Sequence, residues 1–310
     1  MCLWMDWNDP TSWGNGGLAG WKGSQESAVL QSRVDRAVTE TLDEFSSRGL
    51  RADQLAMTCV DLTCAGEVSH ASHRGNVLIY PASVVKLFYL VAAHRWIEDR
   101  ACQDSPELQR ALRDMVVDSS NEATHYVVDL LTDTTSGPEL PEPELKEWFH
   151  RRNSVTRYFQ SLGYPEINVN KKPWHDGPYG REMQAVRSYQ PSCNWLSTDA
   201  TARLLVEITT GKAVNEKRSR QMLDLMQRDI YGPVKDPEDQ THGFTGIALL
   251  ESHQAGTRLW SKAGWTSRMR HDAAYMEFPD GRKIVLILFT LDHAKERRIL
   301  PALARRILWP

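Results

Sequence analysis

Apolar residues recur at helical spacing over positions 27–48, where Val29, Leu30, Val34, Ala37, Val38, Leu42 and Phe45 make one stripe and Gly49 supplies a stop. Alternation follows. Leu55, Met57, Cys59 and Asp61 mark a strand over 54–62, and Ala65-Gly66 turns the chain towards a partner around 67–71. The segment 80–93 then runs almost without a polar residue, which suits a helix buried on most sides, and Pro81 fits its first turn. Helical periods return over 107–117 and 122–131, separated by Asp118-Ser119-Ser120-Asn121, whose side chains compete with helix backbone hydrogen bonds and so fit a corner. A polar loop at 132–143 leads to a helix over 144–162 that Gly163 ends.

Positions 163–196 are the least regular. Pro165, Pro173, Gly177-Pro178, Gly180 and Pro191 forbid long helices, while Trp174, Tyr179 and Tyr189 predict a packed loop, and loops of this length inside compact domains tend to be functional. Thr198 or Asp199 caps a helix to about 210, a second helix covers 217–230, and 231–246 is loop. Strands follow over 257–264, 272–278 and 283–291, the last two joined by Pro279-Asp280-Gly281, and a basic amphipathic helix over 294–308 closes the chain. The pattern predicts an α+β fold: an antiparallel sheet of about five strands flanked by N- and C-terminal helices, with an all-helical subdomain inserted. The α/β part comprises 27–82 and about 245–310, and the helical part 83–244. Positions 1–26, with Trp4, Trp7, Trp13 and Trp21, form an irregular leader.

Composition narrows the function classes. The chain has 310 residues, 41% of them hydrophobic and 25% charged, enough to bury a substantial core. A net charge of −3 without like-charge blocks argues against a nucleic-acid partner and favours a small-molecule or peptide substrate. The five cysteines are scattered and lack Cys-x-x-Cys spacing, and His70 and His73 have no carboxylate at ligand spacing, so no disulfide framework, metal or cofactor is expected. No apolar run reaches the roughly 20 residues that span a bilayer. The leader lacks the features of a signal peptide, which predicts a cytoplasmic chain as it stands, or a periplasmic or secreted one if the true start differs. A monomer is expected.

Ser83 and Lys86, three residues apart, share a helix face. Burying an unpaired ammonium costs several kcal/mol unless it is paired or loses its proton, so a lysine in this apolar run is either a base beside an activated serine or a side chain that snorkels to the surface while Ser83 only caps the helix.

Three short motifs fall in order along the chain: Ser83-Val84-Val85-Lys86, Ser119-Ser120-Asn121 and Lys262-Ala263-Gly264. Together they resemble the S-x-x-K, S-x-N and K-T-G signatures of the serine β-lactamase and penicillin-binding protein superfamily, with the closest likeness to class A β-lactamases. The resemblance implies that Ser83 attacks a carbonyl, Lys86 accepts its proton, Ser119 relays a proton to the leaving nitrogen, Asn121 orients substrate and Lys86, and Lys262 supplies positive potential. It also implies an oxyanion hole from the backbone N–H groups of Ser83 and Trp265, beside Gly264. The departures carry expectations of their own. Ser83 and Ser119 are 36 residues apart, fewer than is usual in class A enzymes, which predicts an open cleft. Ala263 lacks the hydroxyl that in the family helps to hold the substrate carboxylate, a contact that Arg268 or Arg270 can replace. The class A motif E-x-x-L-N is missing; Glu182 is the first candidate for the deacylating base, followed by Glu166, His175 and Asp176. Three functions follow: a class A-like β-lactamase, a penicillin-binding or peptidase-like enzyme acting on another amide or ester, and a covalent sensor or scaffold without turnover.

Overall fold

The computed structural model describes residues 24–164, 167–174, 176–191, 193–234, 236–253 and 255–309. Most of the Trp-rich leader, with Glu166 and His175, lies outside them. The chain begins with the short strand Ser24–Glu26 (β1) and the helix Ala28–Glu44 (α1), which is capped by Ser27 Oγ accepting from the Leu30 N–H. The hairpin consists of Leu55–Asp61 (β2) and Val68–His73 (β3). The helical part holds Lys86–Glu98 (α2), Pro106–Val116 (α3), Asn121–Thr132 (α4), Glu142–Arg152 (α5), Ser154–Ser161 (α6), Gly180–Ser188 (α7), Thr198–Thr209 (α8) and Glu216–Met226 (α9). Then come Gln227–Arg228 (β4), Gly246–Glu251 (α10), Arg258–Trp265 (β5), Met269–Glu277 (β6), Lys283–Leu291 (β7) and Ile299–Leu308 (α11).

Among the described residues the strands form one seven-stranded sheet in the order β1-β3-β2-β7-β6-β5-β4. All pairs are antiparallel except β1 with β3, so the sheet is mixed rather than purely antiparallel. The two strands beyond the five expected are β1 and β4, three and two residues long, too short to show a period of two. The sheet is buried on both faces. Along β7, Ile284, Leu286 and Leu288 pack into the layer of α1, α10 and α11, whereas Val285, Ile287 and Phe289 pack into the helical body, which is why 283–291 reads as a continuous apolar run. α2 crosses the middle of that body, and its residues from Lys86 to His94 are all buried.

The boundaries differ from the sequence expectation where tertiary contacts intervene. The helix expected over 144–162 is two helices, parted at Asn153, whose Oδ1 accepts from Asn170 Nδ2. Thr156 Oγ1 accepts from the Val169 N–H, so this corner is tied to the irregular segment that follows. That segment contains α7, nine residues long and free of proline. The cap of α8 is Ser197, one residue before the candidates Thr198 and Asp199, through Oγ accepting from Ala200 N–H. The last helix begins at Ile299 rather than 294, because the Ala294 carbonyl accepts from Arg270 Nε.

Candidate active site

Ser83 does not open the helix directly. It sits in a 3-10 turn, Ala82–Val85, and the Lys86 N–H bonds back to the Ser83 and Val84 carbonyls as α2 begins. Ala82 is held at φ +47°, a left-handed conformation that a residue with a Cβ adopts at a cost, and Ser119 is held likewise at φ +58°. Both strained residues belong to the segments that carry the sequence motifs. The turn is fixed from below by His271 on β6, whose Nε2 donates to the Tyr80 carbonyl while Nδ1 accepts from the Thr290 N–H. That pair of contacts requires the neutral ring, and burial lowers its pKa to about 4. From the side, β5 approaches closely at Gly264. A Cβ there would lie 2.8 Å from the Pro81 carbonyl oxygen and 3.1 Å from the Ser83 nitrogen, so only glycine lets the strand meet the serine's backbone.

The Lys86 side chain is buried and does not snorkel. Its Nζ donates to Asn121 Oδ1 at 2.9 Å, to Ser119 Oγ at 3.3 Å and to the Ser119 carbonyl. Burial lowers its pKa from the ordinary value to about 7, with the Glu122 carboxylate acting in the opposite direction. Ser119 lies at the corner before α4, which Ser120 caps through Oγ accepting from the Ala123 N–H. Its hydroxyl also accepts from Lys262 Nζ at 2.9 Å. Lys262 is fully buried, and burial together with the charge of Lys86 pushes its pKa well below the ordinary lysine value. One hydroxyl thus bridges two desolvated lysines.

The sequence did not single out the residues that hold the edge of β5. Because β4 pairs only with Leu259 and Trp260, the outer edge is open from Ser261 onward. Arg228 donates from Nη2 to the Ser261 carbonyl (2.8 Å) and to the Val116 carbonyl (3.1 Å). Gln240 Oε1 accepts from Lys262 Nζ (2.6 Å) and from the Ala263 N–H (3.1 Å), while its Nε2 donates to the Val116 and Val117 carbonyls. By strand alternation the next N–H on this edge is that of Trp265, whose side chain is 54% exposed. Gln240 falls in a stretch rich in Pro, Asp and Gly that carries no periodic signal.

Three candidate residues are engaged elsewhere within the protein. Arg270 lies on the opposite face of β6 from the cleft, buried, ion-paired with Glu238 and stacked on Phe244. The physical reason is register: Arg270 pairs with Trp265, two residues from Ala263, and shares its face of the sheet with Asp272 and Ala274. Arg268, in the turn before β6, is exposed and ion-paired with Asp292. Glu182, on α7, is buried in a network with Arg152 Nη2 (2.8 Å), Lys172 Nζ (3.4 Å) and Ser136 Oγ (3.0 Å), and Arg152 and Lys172 both continue to Asp129. The carboxylate that acts on Lys86 is that of Glu122, not Glu182. Asp176 is exposed, and Glu166 and His175 lie outside the described residues.

A two-layer α+β sandwich with a helical body, and with two buried lysines meeting the half-buried Ser119 between its parts, defines the class of penicillin-recognising and β-lactam-hydrolysing folds. The comparisons agree. Residues 97–308 match the model of the beta-lactamase enzyme family, and the chain belongs to that family. The match begins after Ser83 and Lys86. Comparison with curated proteins by sequence gives no match. Among solved structures, a β-lactamase from Sphaerobacter thermophilus is 18% identical with a TM-score of 0.61, over 89% of this chain and 96% of that one. The structure of PBP-A is 16% identical with a TM-score of 0.60, over 92% and 96%. A β-lactamase from Chitinophaga pinensis is 16% identical with a TM-score of 0.60, over 88% and 98%. Membership implies a hydrolase of the β-lactamase and penicillin-binding type, with a small-molecule substrate. Among the described residues no helix is long and apolar enough to cross a membrane.

Proposed function

We propose that this protein is a serine hydrolase that works through an acyl-enzyme at Ser83 on an amide or ester, with a β-lactam as the first substrate to test. The observation that carries this reading is the Ser119 hydroxyl bridging Lys86 and Lys262 beside the Ser83 turn. Neutral Lys86 takes the Ser83 proton as Oγ adds to the carbonyl carbon. The oxyanion is held by the Ser83 and Trp265 N–H groups. Collapse breaks the carbonyl C–N or C–O bond, and the Ser119 hydroxyl delivers the proton that the leaving atom needs and recovers one from Lys86. Asn121 orients Lys86, and Lys262 supplies positive potential.

Deacylation divides the class A reading from the penicillin-binding one, and the position of Glu182 favours the second. Its carboxylate is engaged by Arg152 and Lys172. A PBP-A variant of similar fold is known as an acyl-enzyme complex with penicillin G. The expected outcome with this protein is a Ser83 adduct that outlasts its formation by far. Intact-protein mass spectrometry over time with penicillin G, with Ser83→Ala as control, makes the test. A lasting adduct, absent from Ser83→Ala, supports the penicillin-binding reading, and rapid turnover supports the β-lactamase one. Labelling that persists in Ser83→Ala sinks both.

A further inference from the structure

A carboxylate bound in a desolvated cleft needs hydrogen-bond donors that are not already in use, because an anion stripped of water and left without them is strongly disfavoured. At the end of the cleft around Ser119, Lys262 and Ala263, the Lys262 and Ala263 donors are committed within the protein. Lys262 Nζ lies within hydrogen-bond distance of three groups of the protein: Ser119 Oγ at 2.9 Å, Gln240 Oε1 at 2.6 Å and the Ala263 carbonyl at 2.8 Å. The Ala263 N–H, the edge donor nearest to Trp265, is also taken by Gln240 Oε1. The Gln240 amide has a unique orientation, since its nitrogen faces two carbonyls and its oxygen faces an ammonium and an N–H. Ala263 has no hydroxyl to offer. Arg228 is occupied by the Ser261 and Val116 carbonyls, Arg270 by Glu238 behind the sheet, and Arg268 by Asp292.

We infer that this cleft takes a neutral substrate, an ester or amide with no carboxylate beside the scissile bond, because the Gln240 side chain occupies from within the protein the donors that an anion would need. The inference rests on the acyl-enzyme reading above and names the substrate class of that same site. Gln240 acts as a specificity residue: it caps the Lys262 end of the cleft from within the protein.

The test compares the rate of Ser83 acylation by benzylpenicillin with that by its methyl ester, which differs only in the masked carboxylate, followed by intact mass. An alkyl fluorophosphonate, which is neutral and reports on the serine alone, is run in parallel. The expected result is that the methyl ester acylates at least as fast as the acid. Gln240→Ala frees Lys262 Nζ and the Ala263 N–H, and is expected to raise the rate of the acid relative to the ester tenfold or more. If that variant does not fold, the comparison in the native protein decides alone. Acid that reacts tenfold faster than ester in the native protein overturns the inference. So does fluorophosphonate labelling of Ser83 with no reaction of either penicillin, which leaves the serine reading standing. No labelling of Ser83 by any of the three overturns both.

Discussion

Lys86 and Lys262 share one serine hydroxyl, and each is desolvated, so the site favours the state in which at most one of them is charged. Lys86, lowered to about 7, is the one positioned to act as a base. Only its neutral form accepts a proton, so Ser83 acylation is expected to rise about tenfold per pH unit below 7 and to level off above it. An acylation rate that is flat between pH 5 and 9 would remove Lys86 from that role. Lys86→Met is expected to slow acylation by about 10²–10⁴-fold, the usual contribution of a positioned general base, while circular dichroism stays native.

Two elements fix where these residues stand. β5 brings Gly264 against the Ser83 turn, and Gly264→Ala places a Cβ 2.8 Å from the Pro81 oxygen. The expected cost is about 1–3 kcal/mol, typical of overpacking, with slower acylation as the Ser83 N–H is displaced. Equilibrium denaturation and labelling kinetics on the one variant check both. α7 carries Glu182 into the Arg152 and Lys172 network, and Glu182→Gln breaks a buried pair, with an expected loss of about 3–5 kcal/mol. The first-order decay of a Ser83 adduct should then stay within about threefold of the parent. An adduct whose lifetime lengthens a hundredfold would restore Glu182 as the deacylating base.

At the scale of the whole molecule, two buried histidines set the acid limit of the fold. Among the described residues His94 on α2 has no hydrogen-bond partner on either ring nitrogen, and His271 needs its neutral form to hold the Tyr80 segment; burial lowers both from 6.5 to about 4. With folded values below the unfolded one, these residues bind protons more readily when the chain is unfolded. The contribution of these two histidines is therefore full above pH 6.5 and is lost as the pH drops towards 4, by up to about 3 kcal/mol for each. Urea denaturation at pH 7 and pH 4.5 checks the loss. His94→Leu should remove about half of it, and an unchanged loss would assign it elsewhere.

Much of the fold and of the site is legible in the order of residues alone. The alternation in 54–62, the apolar run in 283–291 and the helical stripes around them predict the α+β layers, because burial on one face leaves a period and burial on both leaves a continuous run. The order of Ser83, Lys86, Ser119, Asn121 and Lys262 along that pattern marks the candidate site, and the first four sit at helix starts or corners that local residues define. What only the tertiary structure decided are contacts between segments far apart in sequence. Gln240 reaches Lys262 across 22 residues, and Val116 and Val117 across more than 120, from a loop with no period. Arg270 is turned to the back of the sheet by strand register, and Glu182 is claimed by Arg152 and Lys172 from other elements. A pattern of polarity says which side of an element is buried. It does not say which buried donor meets which acceptor, and in this protein that pairing decides the ligand the site is free to bind.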